Sequence, residues 1–256
     1  MRKFLIACLL LAFFSSISVA QKQKESCTPA VPIVIDAKVD EWQNDWVADS
    51  EGKFLYNICN DANDLYIRLK MSDILTQRRV ALFGLTVWLD PSGKKKEKIG
   101  LKYPFGTSDL SGTPPTVTTM TRNQKRGDVE KELLSDLEVL ELIGLAKENI
   151  ISSRLGLMNG IQVLIAATED GSYLYEAKIP FKAFRLKKSE ITVLGVGFET
   201  GVLTPQKGKT QAAGSGPGAP FYGNMSPYYQ QVMLGPSGSN YEMTIPSKIW
   251  TSVLLK

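Results

Sequence analysis

The sequence predicts an all-β fold: a jelly-roll-like antiparallel β-sandwich with one or two short helices and long loops. Three observations carry that expectation. Short runs alternate apolar and polar residues, turns rich in Asn, Asp, Gly and Pro close them, and no strand-helix-strand rhythm interrupts the series.

In chain order, residues 1–20 read as a secretory signal: Arg2 and Lys3, the apolar run Phe4 to Phe14, then small Ser18 and Ala20 about a cleavage point. The run is too short for a bilayer span, which takes about 20 apolar residues. The expected product is an exported, soluble protein, periplasmic or extracellular. Residues 21–32 read as an N-terminal extension and 33–256 as a single domain. Phe54 to Cys59, the turn "NDAND" and Leu65 to Met71 form a hairpin in which Leu65, Ile67, Leu69 and Met71 share one face. Ala81 to Asp90 reads as one strand that "DPSG" closes, with Trp88 opposite the apolar set Phe83, Leu85, Val87 and Leu89.

Lys94 to Lys98 then makes a basic hairpin loop, followed by a strand near Leu101 and a polar stretch over 106–128. Asp128 is placed to cap a short helix presenting Leu133, Leu134 and Leu137, whereas the period of "LEVLELIGL" fits helix and strand equally. Strands resume at Ile161 to Thr168, Tyr173 to Ile179 and Ile191 to Glu199, and "KIWTSVLLK" reads as the last. Between them, Gly201 to Ser239 is one-third Gly and Pro, the composition of a long loop.

Composition removes several functions. The 256 residues contain no histidine, which excludes Ser-His-Asp and Cys-His catalysis, imidazole-based zinc sites and histidine-ligated haem. No Ser-based elbow or singled-out carboxylate pair supplies another catalytic set, so the chain is not read as an enzyme. Without the signal, the 30 basic residues fall to 28 against 26 acidic ones, a balance that does not suit nucleic acid. Of three cysteines, Cys27 and Cys59 outlast signal removal. They either bridge in an oxidising compartment or remain as a free terminal Cys27 and a buried Cys59.

Three segments carry a resemblance: "IDAKVDEW", "NDANDLYIRLKMSD" and "YLYEAKIPFKAF". Together they resemble the family 9 carbohydrate-binding modules and the wider DOMON-like group. The matching positions are Asp36, Asp40, Glu41 and Trp42, then Asp61, Leu65, Tyr66 and Asp73, then Glu176, Ile179 and Pro180. Trp250 suits the family's last strand, and Ala37 departs from the usual glycine. The resemblance implies a sandwich whose sugar site is framed by aromatic rings, with calcium bound structurally in some members. It also implies a haem-binding competitor, which here would have to rely on methionine ligands.

Sugar recognition needs flat aromatic faces beside planar or charged polar groups. On that basis the candidate contacts are Trp88, Tyr103, Glu176, Tyr222, Tyr228 and Tyr229. Asp36, Asp40, Trp42, Trp46, Asp61, Tyr66, Pro180 and Trp250 are assigned to the framework, and Asp61, Asn63, Asp64 and Asp73 are the oxygen donors for Ca2+. The expected function is that of a secreted, non-catalytic carbohydrate-binding protein. The alternative is an envelope-associated module that holds a protein partner on the same fold.

Overall fold

In the computed structural model the described residues are 24–38, 40–42, 45–49, 51, 53–105, 139–145, 150–152, 156, 158–202 and 240–256. They form an all-β sandwich of two sheets. The expected signal, the helix after Asp128 and the loop tyrosines Tyr222, Tyr228 and Tyr229 lie outside the described residues.

The strands are β1 (Lys24–Glu25), β2 (Val47–Ala48), β3 (Leu55–Asn60), β4 (Asp64–Met71), β5 (Leu85–Asp90), β6 (Gly100–Lys102), β7 (Val139–Ile143), β8 (Ile150–Ser152), β9 (Gln162–Ala167), β10 (Tyr173–Pro180), β11 (Val193–Thr200) and β12 (Lys248–Leu254). The wide sheet runs β1-β12-β11-β5-β6-β7-β8 and the narrow sheet β2-β3-β4-β10-β9. All pairings are antiparallel except β1 with β12. Residues 24–25, expected in an extension, therefore add an edge strand to the wide sheet.

Period-2 alternation decides which side chains meet between the sheets. Leu65, Ile67, Leu69 and Met71 from β4 face Val87 and Leu89 from β5 and Val196 and Phe198 from β11 in one core. Phe198 joins the layers, its ring centroid 6.5 Å from Phe54 and 5.7 Å from Tyr56. Tilted aromatic contacts of this kind add to the value of the buried area.

The reading of Ala81 to Asp90 as one strand is corrected. Its first residues belong to helix α1 (Ile74–Phe83), and only Leu85–Asp90 is strand. Asp73 Oδ2 accepts from the Thr76 amide and hydroxyl, both at 2.7 Å, and the Gly84 amide closes the last turn on Val80 O at 2.9 Å. Thr76 to Phe83 are all buried, so the helix has no polar face to give it a period and its apolar residues imitate an alternating strand. The ambiguous "LEVLELIGL" resolves to β7, with Leu140 and Leu142 turned into the core.

Cys27 and Cys59 are disulfide-bonded, with Cα atoms 4.2 Å apart across a separation of 32 residues. The bridge ties the segment after β1, at the edge of the wide sheet, to β3 in the narrow one. Asn60 extends the join by donating from Nδ2 to Lys256 O at 2.7 Å. Among the described residues, no helix is long and apolar enough to cross a membrane.

Candidate functional site

Tryptophans lie over the outer face of each sheet, and their settings differ. On the narrow sheet, the register aligns Asn57, Arg68 and Glu176 on one outward row. Asp36, Ala37, Trp42 and Trp46 contact that row. Arg68 is fully buried, its guanidinium 4.9 Å from the Trp42 ring centroid and 4.1 Å from that of Trp46. Both rings thus cover a cation, an arrangement that strengthens as water is excluded. Burial lowers the Arg68 pKa to about 10, against the opposing pull of Glu176, so the guanidinium stays charged at neutral pH.

Glu176 is fully buried and serves this cover. Its Oε2 accepts from the amides of Ala37 at 2.9 Å and Asp36 at 3.2 Å, which fixes the strained turn where Ala37 adopts φ 61°. Burial raises its pKa; the two amide bonds and the Arg68 charge pull the other way. Asp36 Oδ1 accepts from the Lys38 amide at 2.9 Å. Trp42 packs with Ile33, Cys59 and Tyr66 in a small second core. Glu176 therefore has a structural task here and offers no surface to a ligand.

The oxygen donors considered for calcium are also committed to the protein. Asp61 accepts from the Asn63 and Asp64 amides at 2.8 Å and from the Tyr66 hydroxyl at 2.9 Å. Asp64 pairs with Lys178 at 3.2 Å, and Asp73 caps α1. Among the described residues, no group of three acidic, cysteine or histidine side chains is placed to hold a metal ion. Among the described residues, these donors do not assemble a calcium site.

The wide sheet presents a different outer face. Register places Trp250, Gly197, Trp88, Gly100 and Ile143 in one row across five strands, β12, β11, β5, β6 and β7. The adjoining row is Lys248, Glu199, Thr86, Lys102 and Glu141. Each tryptophan lies down on a glycine. A Cβ at Gly197 would stand 2.7 to 2.9 Å from Cε2, Cδ2 and Cζ2 of Trp250, and one at Gly100 would stand 2.9 Å from Cε3 of Trp88. Only glycine lets indoles rest this close to the backbone. Both tryptophans are half-buried, with one side against the sheet.

Polar side chains hold the platform in place. Trp88 Nε1 donates to Glu199 Oε2 at 2.7 Å, and Lys248 Nζ lies 3.1 Å from that oxygen and 2.6 Å from Glu97 Oε1. Burial works against the Lys248 charge, but the bonds to Glu97 and Glu199 outweigh it and raise the pKa. The β5–β6 loop is thereby drawn toward β12. Such an arrangement can stack a flat apolar ring and offer charged groups beside it; it assembles no nucleophile or proton-transfer pair.

Of the residues selected from sequence, the structure puts Trp88 on this face. Tyr103 points the other way, buried in the core with its pKa raised by desolvation. The sequence reading assigned Trp250 to the framework and so missed its place beside Trp88. A signal was present: "LGVGFE" alternates glycine with bulky residues, which marks outward positions that a neighbouring side chain fills.

No protein-family model matches the chain, and no curated protein matches it in sequence. Among solved structures, the chain is similar to a family 9 carbohydrate-binding module from Caldicellulosiruptor kristjanssonii in complex with glucose. The TM-score is 0.38 and the identity 10%, over 91% of this chain and 96% of that one. An overlap of that quality carries no inference about ligand or residue roles.

Proposed function

We propose that the protein is a non-catalytic carbohydrate-binding protein that holds an extended saccharide on the outer face of the wide sheet. The observation that supports this reading is the pair Trp88 and Trp250, each laid flat over a glycine with polar side chains alongside. Burying a tryptophan on the outer face of a sheet needs no glycine beneath it. Two such pairs in one row produce a low, flat aromatic surface, the shape that the C–H face of a pyranose requires. β5 and β12 lie two strand spacings apart, about 9 to 10 Å, which suits consecutive sugars of a chain better than one isolated ring. Glu199 and Lys248, fixed by their mutual bonds, supply hydroxyl partners at little entropic cost.

Export through the N-terminal signal belongs to the same proposal, and the Cys27–Cys59 bridge agrees with an oxidising destination. A glycan array followed by affinity electrophoresis tests the reading. Trp88→Ala and Trp250→Ala are each expected to weaken binding about tenfold or more, as for central aromatic anchors elsewhere, while the protein stays folded. Retention of full affinity by the double variant would refute the assignment.

A further inference from the structure

The loop joining β5 to β6 contains a charge pattern that neutral sugar binding does not use. Lys94, Lys95, Lys96 and Lys98 are all exposed, and none of the four ammonium groups is engaged in an ion pair among the described residues. The loop is held against the platform. Gly93 packs on Val193 at the start of β11, and its carbonyl carbon lies 3.6 Å from where a Cβ on outward-facing Gly195 would be. At the far side of the loop, Glu97 reaches Lys248 on β12 at 2.6 Å.

Asp90 fixes the loop from below. Its Oδ1 accepts from the Ser92 amide at 2.9 Å and hydroxyl at 2.7 Å, and its Oδ2 from the Lys96 amide at 2.9 Å. Burial opposes the carboxylate charge, yet these bonds hold its pKa below the ordinary value. Asp90 is therefore ionised and fully occupied with the loop backbone.

The charge balance at the platform edge follows. Three acids of the loop and of the adjoining row have protein partners: Asp90 the loop amides, and Glu97 and Glu199 the shared Lys248. Among the described residues the four loop lysines have none. Clustered like charges repel, and a loop pinned at both ends cannot spread them apart. A bound anion would relieve that repulsion.

We propose, resting on the carbohydrate reading above, that the saccharide held here is acidic, with its carboxylates or sulfate esters paired by Lys94, Lys95, Lys96 and Lys98. The tryptophans supply the stacking surface common to all sugars, and the lysines select the charged ones. Lysine suits this task because its ammonium is a mobile point charge that tolerates irregular spacing of anions along a polymer.

Affinity electrophoresis separates the alternatives, with mobility read against a polysaccharide-free gel. The probes are polygalacturonate, alginate, a sulfated galactan, and neutral galactan and β-glucan. The proteins are the wild type, the fourfold Lys94→Gln, Lys95→Gln, Lys96→Gln, Lys98→Gln variant, and Trp88→Ala. At least one acidic polymer is expected to be held about tenfold tighter than every neutral one, and the advantage should shrink from about 0.05 M to about 0.5 M salt as screening sets in. The fourfold variant should lose that advantage and keep its residual neutral binding. Trp88→Ala should weaken both classes. Carboxylate-bearing and sulfated probes rank against one another to identify the anion.

Equal binding of neutral and acidic polymers by the wild type would overturn the inference and leave the carbohydrate reading intact. Binding to none of the five would remove both. Retention of duplex DNA or anionic vesicles as strong as that of the acidic polymers, with Trp88→Ala unaffected, would reduce the loop to a general polyanion surface and overturn the inference.

Discussion

The two outer faces use tryptophan to opposite ends. On the narrow sheet, Trp42 and Trp46 close over the buried guanidinium of Arg68, and the backbone at Asp36 and Ala37 is anchored to Glu176 beside it. On the wide sheet, Trp88 and Trp250 have glycine beneath them and no such segment anchored across them among the described residues. The same residue type thus shields a buried cation in one place and lies on the bare backbone of a sheet in the other. What sits beneath each ring makes the difference: a cation that must be shielded, or a glycine that lets the ring lie flat.

The largest effect that tests this contrast is expected at Trp42. Trp42→Ala opens the small second core and exposes one side of Arg68, and large-to-small changes of this kind cost about 3 to 5 kcal/mol. Thermal unfolding should show a marked fall in Tm. Saccharide affinity measured well below that temperature should stay at the wild-type value. An unchanged Tm with lost affinity would exchange the roles assigned to the two faces.

The next effect down sharpens the covalent side of the comparison. Reduction of Cys27–Cys59, or Cys27→Ser with Cys59→Ser, releases a loop of about 30 residues and should cost about 3 to 4 kcal/mol. Denaturant titration with and without reductant measures it. Because the bridge lies behind the covered face, platform binding should again persist.

Gly197→Val reverses the pattern. The new side chain meets the Trp250 ring at 2.7 Å and lifts it from the sheet. Crowding of this kind costs about 1 to 3 kcal/mol, although a half-exposed ring can swing aside and hold the loss to the lower end. Binding should fall at least as far as in Trp250→Ala. A variant with wild-type affinity would show that the flat seat of Trp250 is irrelevant to the ligand.

How much of this was legible in the chain depends on how local the cause is. The hairpin at Asn60 to Asp64, the Asp90 turn and the outward setting of Trp88 follow from short-range alternation and turn chemistry, and they are visible in the sequence. The helix at Ile74–Phe83 was hidden because Thr76 to Phe83 are all buried, although Asp73 and Gly84 mark both of its ends. Trp250 beside Trp88 was not legible from either strand alone. It requires knowing that β11 passes between β5 and β12 and that its glycines face outward. Glu176 shows the same limit: read from sequence as a sugar contact, it faces Arg68 across the strand pair and bonds amides some 140 positions away.

The smallest expected effect concerns that glutamate. Burial raises the Glu176 pKa in the folded protein, so the native state holds this proton more tightly than the unfolded chain does. Its contribution to stability is then fully present below the unfolded carboxylate pKa and declines as pH rises through the folded value. Glu176→Gln removes the titration and keeps a carbonyl oxygen to accept from the Ala37 amide. The stability of the wild type relative to this variant should therefore fall as pH increases from about 4 toward 7, by no more than about 1.4 kcal/mol for each unit by which the pKa is raised. Paired urea titrations across that range measure the difference. A relative stability that rises with pH would mean that Arg68 and the two amides dominate over burial. The cover on the narrow sheet would then be held by the ionised Glu176 facing the Arg68 guanidinium, with the two tryptophans shielding both charges.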